Sequence, residues 1–336
     1  METVSKLAEV TRGPMVESVH RGVIVIVDIE GEIIYQLGDP QYETYLRSAA
    51  KPLQALPIIE RGAADNFQLT LKELAVITGS HNGEIEHQEA VQGILTKIGL
   101  TGDNLLCGAT KPIHRPTANK LVSEGKKPEA IHNPCSGKHA GMLALAVHEG
   151  YSVEDYYLAE HPVQQIMLQT VADLAQVNKE KIKIGIDGCG VPVFGLSVKA
   201  MAQAYANLAK PVNLSPQRQK ACEVLQKAMS EYPLMVAGTG RFTTDLLAQM
   251  APQVIAKDGT EAVYCLGIPE KGWGVAIKIE DGGARALNTI VLSVLEQLGY
   301  LPSHVKEKLE DYYYPVLKNF RGEEVGRIRP AFTLKR

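Results

Sequence analysis

The sequence carries no evenly paired cysteine set, no membrane-length apolar run and no basic cluster, and each absence narrows the field. Its five cysteines, Cys107, Cys135, Cys189, Cys222 and Cys265, are odd in number and far apart, which reads as reduced thiols and not as a disulfide frame. The opening METVSKLAEVTRGPMVES has no apolar segment of the kind a signal peptide needs. No apolar stretch approaches the roughly 18 residues of a membrane span. The formal net charge is −3 with no basic field anywhere, so neither nucleic acid nor membrane is expected as a partner. Repeats and low-complexity tracts are lacking too. A soluble, cytoplasmic protein is expected. What is present is apolar material, 45% of 336 residues, enough for one large domain or two interleaved lobes.

Strand signals gather at the two ends. GVIVIVDIEGEIIYQLGD (22–39) reads as a hairpin turning at Glu30-Gly31, and VIAKDG, AVYCLGI (262–268) and WGVAIKIED (273–281) read as three strands near the other end. Helical patterns fill 69–80, 84–99, 137–150, 163–177, 197–209, 216–230, 242–250 and 284–299, with a short strand at 181–187 and a loop-rich stretch at 101–135. That order predicts an α+β fold: one antiparallel sheet built from both termini, helices packed on it, and an inserted helical lobe. We expect a single catalytic domain over 1–336, with a sheet lobe from 1–110 and 230–336 and a mainly helical lobe over 111–229.

YLRSAAKPLQALPI (45–58) sets Ser48 three residues before Lys51 at the entrance to an apolar helix. The serine could cap that helix. On a helix, however, residues three apart share a face, about 5–6 Å between Cβ atoms. A lysine desolvated there loses its proton more readily and can activate the hydroxyl. Pro52 sits in the first turn at little cost, whereas Pro57 should kink the helix. Ser-x-x-Lys recurs at Ser123/Lys126 and Ser303/Lys306, where polar surroundings suit a cap beside a solvated lysine. Ser80-His81-Asn82 is the only Ser-x-Asn, and Lys257-Asp258-Gly259 is the one Lys-x-Gly that leads into a terminal hairpin. The three elements in this order resemble serine β-lactamases, penicillin-binding proteins and serine-dependent glutaminases.

A closer resemblance rests on HRGVIVIVD (20–28), RSAAKPLQALP (47–57), TGSHNGE (78–84), HNPCSGKHAGML (132–143), IDGCGVPVF (186–194), VAGTGRF (236–242) and KDGTEAVYC (257–265). Across most of its length the chain is similar to the serine–lysine, rhizobial-type (class 3) L-asparaginases, also called asparaginase II. The resemblance implies a β-lactamase/glutaminase-like fold and hydrolysis of L-asparagine to L-aspartate and ammonia. It matches Ser48–Lys51 and Ser80–Lys257 to the family's two serine–lysine pairs. Arg47, His139 and Asp187 match residues of the substrate pocket, joined by Asn82 of the Ser-x-Asn element and by Thr260, expected to donate its N–H to the oxyanion. Cys135, Lys138 and Cys189 match zinc ligands. No organic cofactor is implied, the zinc is not needed for folding, and a homodimer is expected. The resemblance leads to KxGAEGVY where this chain reads KDGTEAVY, a difference confined to the loop around Thr260.

The residues support these roles to different degrees. Cys135 and Lys138 open a helix, where free N–H groups favour anions and lower a thiol pKa. With Cys189 they could hold a soft metal, or the two cysteines could simply be packed in the interior. Asp187 could bind an ammonium or form a turn before Gly188. The expected chemistry is attack of Ser48 on the side-chain amide with Lys51 taking its proton, and Ser80–Lys257 protonating the leaving ammonia. Arg47 and Lys138 would hold the α-carboxylate. A glutaminase, a penicillin-type peptidase and a non-catalytic relative that binds metal or amino acid are the other readings.

Overall fold

The computed structural model describes residues 3–336. Its main sheet has eight strands, all antiparallel: β1 (Ser5–Arg12), β2 (Met15–Val27), β3 (Ile33–Leu37), β7 (Ile255–Gly259), β8 (Val263–Ile268), β9 (Trp273–Ile279), β10 (Val316–Lys318) and β11 (Glu324–Pro330). The order β10-β11-β1-β2-β9-β8-β7, with β3 on the other edge of the end of β2, interleaves strands from both termini as expected. Three further strands, β4 (Glu43–Tyr45), β5 (Lys183–Ile186) and β6 (Pro192–Ser197), form a small sheet in the order β4-β6-β5. The sequence reading found β5 of these. It did not find β4 or β6, nor β1, β10 and β11.

Val23 to Val27 are all buried, so β2 has no water-facing side there. Continuous apolar strands of this kind need cover on both faces. The helix Val198–Ala209 packs on β2, β8 and β9, and the helix Leu287–Gln297 packs on β1 and β11. The β2–β3 turn falls where expected: Gly31 takes φ 85°, and the Asp28 carboxylate accepts from the N–H groups of Glu30 and Glu32.

Away from the sheet, the helix Lys51–Glu60 is surrounded by Leu71–Ile77, Ser136–Glu149, Pro162–Ala175 and Pro216–Glu231. Residues Lys51 to Ile58 are all buried, as befits a helix that is apolar almost all round. It runs through Pro57 to Glu60 without ending there. Thr70 and Glu73 cap Leu71–Ile77 reciprocally, and Gly150, at φ 73°, ends Ser136–Glu149 as predicted. The stretch read as loop, 101–135, contains a helix, Arg115–Ser123. Among the described residues, no helix is long and apolar enough to cross a membrane.

Candidate active site

Ser48 does not cap its helix. It lies on a 3-10 turn, Arg47–Ala50, and Ala50 is the helix N-cap, with no side-chain cap bond. The residue before the serine, Arg47, has φ 50°, a left-handed conformation that costs a non-glycine residue of order 1–3 kcal/mol. The turn is held from outside: Leu46 N–H donates to Phe194 O on β6, and the Tyr205 hydroxyl donates to Ala49 O. The Ser48 hydroxyl itself has no hydrogen-bond partner among the described residues. The other two Ser-x-x-Lys serines are exposed: Ser123 ends a helix and bonds Lys120 O, and Ser303 begins one. Neither acts as an N-cap.

The lysine expected to serve Ser48 is bound to the other serine. Lys51 Nζ donates to Gly79 O (2.5 Å), Ser80 Oγ (3.0 Å) and Pro134 O (3.2 Å). Three acceptors satisfy the three donors of an ammonium, and such charge-assisted bonds, about 1.5–3 kcal/mol each, offset the desolvation of a side chain 1% exposed. Lys51 thereby ties the Ser80 loop to the loop before Cys135. Pro134 O also accepts from His81 N–H, and Ser80 N–H donates to Val236 O. The expected Ser80–Lys257 bond is not formed.

Lys257, fully buried in the middle of β7, donates instead to Asp258 O and Asp258 Oδ1, both at 2.8 Å. Burial lowers its pKa to about 8, against the opposing pull of the Asp258 carboxylate. Asp258 also meets Arg241 Nη2 at 3.0 Å and the Thr243 hydroxyl at 3.2 Å, and Arg241 Nη1 donates to Asn82 Oδ1. Sequence reasoning missed Arg241 and Asp258. Alternation along a strand points neighbours to opposite faces, so the Lys257–Asp258 contact could not be read from the strand pattern. Gly259 completes the junction: a Cβ there would stand 2.8 Å from Leu46 O, so only glycine lets β7 approach the Ser48 turn this closely. In the Thr260 loop, Glu261 and Ala262 both take positive φ, 63° and 53°. The departure from the family's pattern thus places an alanine in a left-handed turn, which Lys278 Nζ braces by donating to Glu261 O and Ile279 O.

A cleft of about 880 Å³ receives Arg47, Ser48, Ser80, Cys135, Asp187, Cys189 and Thr260 of the predicted residues. Lys51, Lys138 and Lys257 lie behind its wall. Asn82 is a scaffold residue, its amide on Thr239 O and its oxygen on Arg241. His139 is fully buried off the cleft, with Nδ1 2.7 Å from the Tyr156 hydroxyl and Nε2 unpartnered. Burial, then Lys138 and Lys51, hold its ring neutral. His81 is likewise internal: Nδ1 accepts from Gly83 N–H, so Nε2 donates to Ser136 Oγ.

At one end of the cleft, Arg47 Nε donates to Asp187 Oδ1 at 3.0 Å. Lys138 Nζ lies 3.2 Å from Cys189 Sγ and 3.8 Å from Asp187 Oδ2. One donor atom each from Cys135, Asp187 and Cys189 fall within 4.8 Å of one another. The two thiols are set apart: Cys189 lowers the Cys135 pKa well below the usual thiol range, and Cys135, with burial, raises that of Cys189. Burial works against the Lys138 ammonium, but Cys189, Cys135 and Asp187 outweigh it and raise its pKa. Two sulfurs and a carboxylate oxygen suit zinc, and Lys138 suits the role of counter-ion better than that of ligand.

Among curated proteins, none matches the chain. Of solved structures, it is similar to a protein called Mglu in its Tris and glutamate form, with a TM-score of 0.40 and 15% identity over 83% of this chain and 59% of that one. The chain therefore spans about three-fifths of that relative's length. A β-lactamase from Mycobacterium bovis gives a TM-score of 0.40 at 13% identity, covering 82% of this chain and 94% of that one. A Bacillus glutaminase gives 0.38 at 13% identity, covering 83% and 91%. Likenesses this distant leave the reading to the chain's own geometry and its family. The sequence pattern of L-asparaginase II matches residues 8–330, nearly the whole chain, and the protein belongs to that family.

Proposed function

We propose that this amidohydrolase converts L-asparagine to L-aspartate and ammonia through an ester on Ser48. The observation that carries the reading is the unengaged Ser48 hydroxyl on the cleft wall, directly after a left-handed Arg47 and beside the Gly259 end of β7, the strand that carries Lys257. Ser48 Oγ attacks the side-chain amide carbon. Its proton passes, directly or through one water, to Lys257, the lysine that burial pushes toward the neutral amine. Lys51, held on three acceptors, orients Ser80, which hands a proton to the departing nitrogen. This reverses the serine–lysine pairing expected from the sequence. The N–H groups of Ser48 and Thr260 hold the oxyanion, each worth about 2.7–4 kcal/mol. Water then releases aspartate.

Arg47 holds the α-carboxylate, with the buried Lys138 charge behind it, and Asp187 the α-ammonium, at the end of the cleft where these groups meet. Because that end is fixed relative to Ser48, one extra methylene moves the amide carbon off the attack position. A misplacement of about 1 Å costs on the order of 10²-fold. Glutamine is therefore expected to show kcat/KM about 10²-fold below asparagine. Measuring ammonia release from both amides tests this, and equal values would favour a glutaminase.

A zinc ion held by Cys135 and Cys189, with Asp187 as the third donor, would supply a fixed positive charge beside the α-carboxylate. We expect the purified protein to take up one zinc near neutral pH and to lose it in acid, since the ligands bind as thiolates and carboxylate. Metal content measured across pH checks this. Stripping should raise KM more than it lowers kcat and leave the protein folded. A protein that never binds zinc, even in excess, would make the two cysteines internal packing groups.

A further inference from the structure

We infer that the end of the cleft beyond Ser80 is a leaving-group subsite, and that the enzyme also cleaves β-N-substituted asparagines carrying an apolar group on the amide nitrogen. The inference rests on the asparaginase reading above. Once the α-groups are held at the Arg47–Asp187 end, the leaving nitrogen faces the Ser80 and Lys257 side. From Lys257 the chain of bonds runs through Asp258 to Arg241, and the wall beside Arg241 is built by Phe242, Leu287, Asn288 and Tyr312. Free asparagine leaves much of about 880 Å³ unused, a volume near the upper end of the roughly 300–1,000 Å³ that enclose drug-sized ligands.

The wall's chemistry says what the space would take. The Phe242 and Tyr312 rings lie 5.2 Å apart, centroid to centroid. The Tyr312 hydroxyl is turned onto Asp245 Oδ2 at 2.6 Å, which leaves the ring for contact. Arg241 is committed to Asp258 and Asn82, so it offers no free charge for an anion. Asn288 is half-buried in the wall, with its side-chain amide unbonded among the described residues. An apolar ring or chain suits this wall better than a charged or a very small group. The reaction balances as for asparagine: the Ser48 Oγ–carbon bond forms, the carbon–nitrogen bond breaks, and the nitrogen leaves as a primary amine with one added proton. Water then cleaves the ester to aspartate.

The test follows aspartate release from L-asparagine and from L-aspartic acid β-benzylamide by the full chain. Wild type is expected to release aspartate from both. Asn288→Trp, which fills the space, should lower kcat/KM for the benzylamide at least about tenfold while asparagine stays within about twofold. Asn288→Leu, close to isosteric, should raise the benzylamide-to-asparagine ratio by removing the unpaired amide. If asparagine is hydrolysed and the benzylamide is neither cleaved nor inhibitory, the subsite is overturned and the asparaginase reading stands. Equal benzylamide rates in wild type and Asn288→Trp overturn it too. If wild type cleaves neither amide, the asparaginase reading fails and this inference fails with it.

Discussion

Ser48→Ala should abolish turnover, by a factor on the order of 10⁴ or more, while aspartate still binds. The size follows from the role: no other hydroxyl stands on the Arg47 turn, and removing an acylated nucleophile leaves only binding and the oxyanion donors. The substitution deletes one atom that makes no hydrogen bond, so stability should change little. Ser80→Ala is the comparison. It removes the proton donor and a partner of Lys51, and should cost about 10²–10⁴-fold. Rates with asparagine, binding of aspartate by calorimetry and mass spectra after rapid acid quench separate the two. An aspartyl adduct should form on wild type and on no Ser48→Ala protein. Near-normal rates for Ser48→Ala, or an adduct on Ser80, would exchange the roles of the serines.

Lys257→Met should cost about 10²–10⁴-fold and remove the ionisation that governs the rate on the acid side. In wild type kcat/KM should climb with pH and level off above about 8, where burial has placed the Lys257 pKa. The sign is set by the chemistry: the amine accepts a proton only when neutral, which is above its pKa. Asp258→Asn tests the same point without removing the lysine. The carboxylate raises the Lys257 pKa against burial, so its loss should move the rise to lower pH. The groups acting on Lys257 are Asp258, Lys51 and Arg241, and none of the others has its sign changed by this substitution. If Lys257→Met keeps the wild-type pH profile, the base is Lys51, as spacing alone had suggested.

Much of the fold was legible because its signals are local. Val and Ile runs marked β2, β8 and β9, Gly31 marked the β2–β3 hairpin, and Gly150 marked a helix end. Elements with mixed patterns were lost: β1, SKLAEVTR, alternates weakly, and β6, PVFGLS, runs straight into a helix. The helix Arg115–Ser123 was hidden by Pro116 and by the polar residues around it. At the site, motif order found Ser48, Lys51, Ser80 and Lys257, but Ser48 was paired with Lys51 by nearness in sequence and Ser80 with Lys257 by resemblance. The bond from Lys51 to Ser80 bridges 29 residues and depends on where two loops meet. Arg241 and Asp258 lay inside quoted motifs without a role, and Asn288 in none, because their importance lies in what they touch.

The interleaving of strands from both ends also has a consequence for synthesis. Residues 24–27 of β2 gain β3 at once, within the first 37 residues, but their other edge waits for β9, which begins at Trp273. At about 5–20 residues per second, a ribosome needs roughly 10–50 s to deliver that partner. Throughout that interval Val23-Ile24-Val25-Ile26-Val27 presents an unpaired apolar edge, free to add a strand from another nascent chain. The arrangement that closes the sheet in the finished protein therefore makes its early translation the period of greatest exposure to aggregation and of greatest dependence on chaperones.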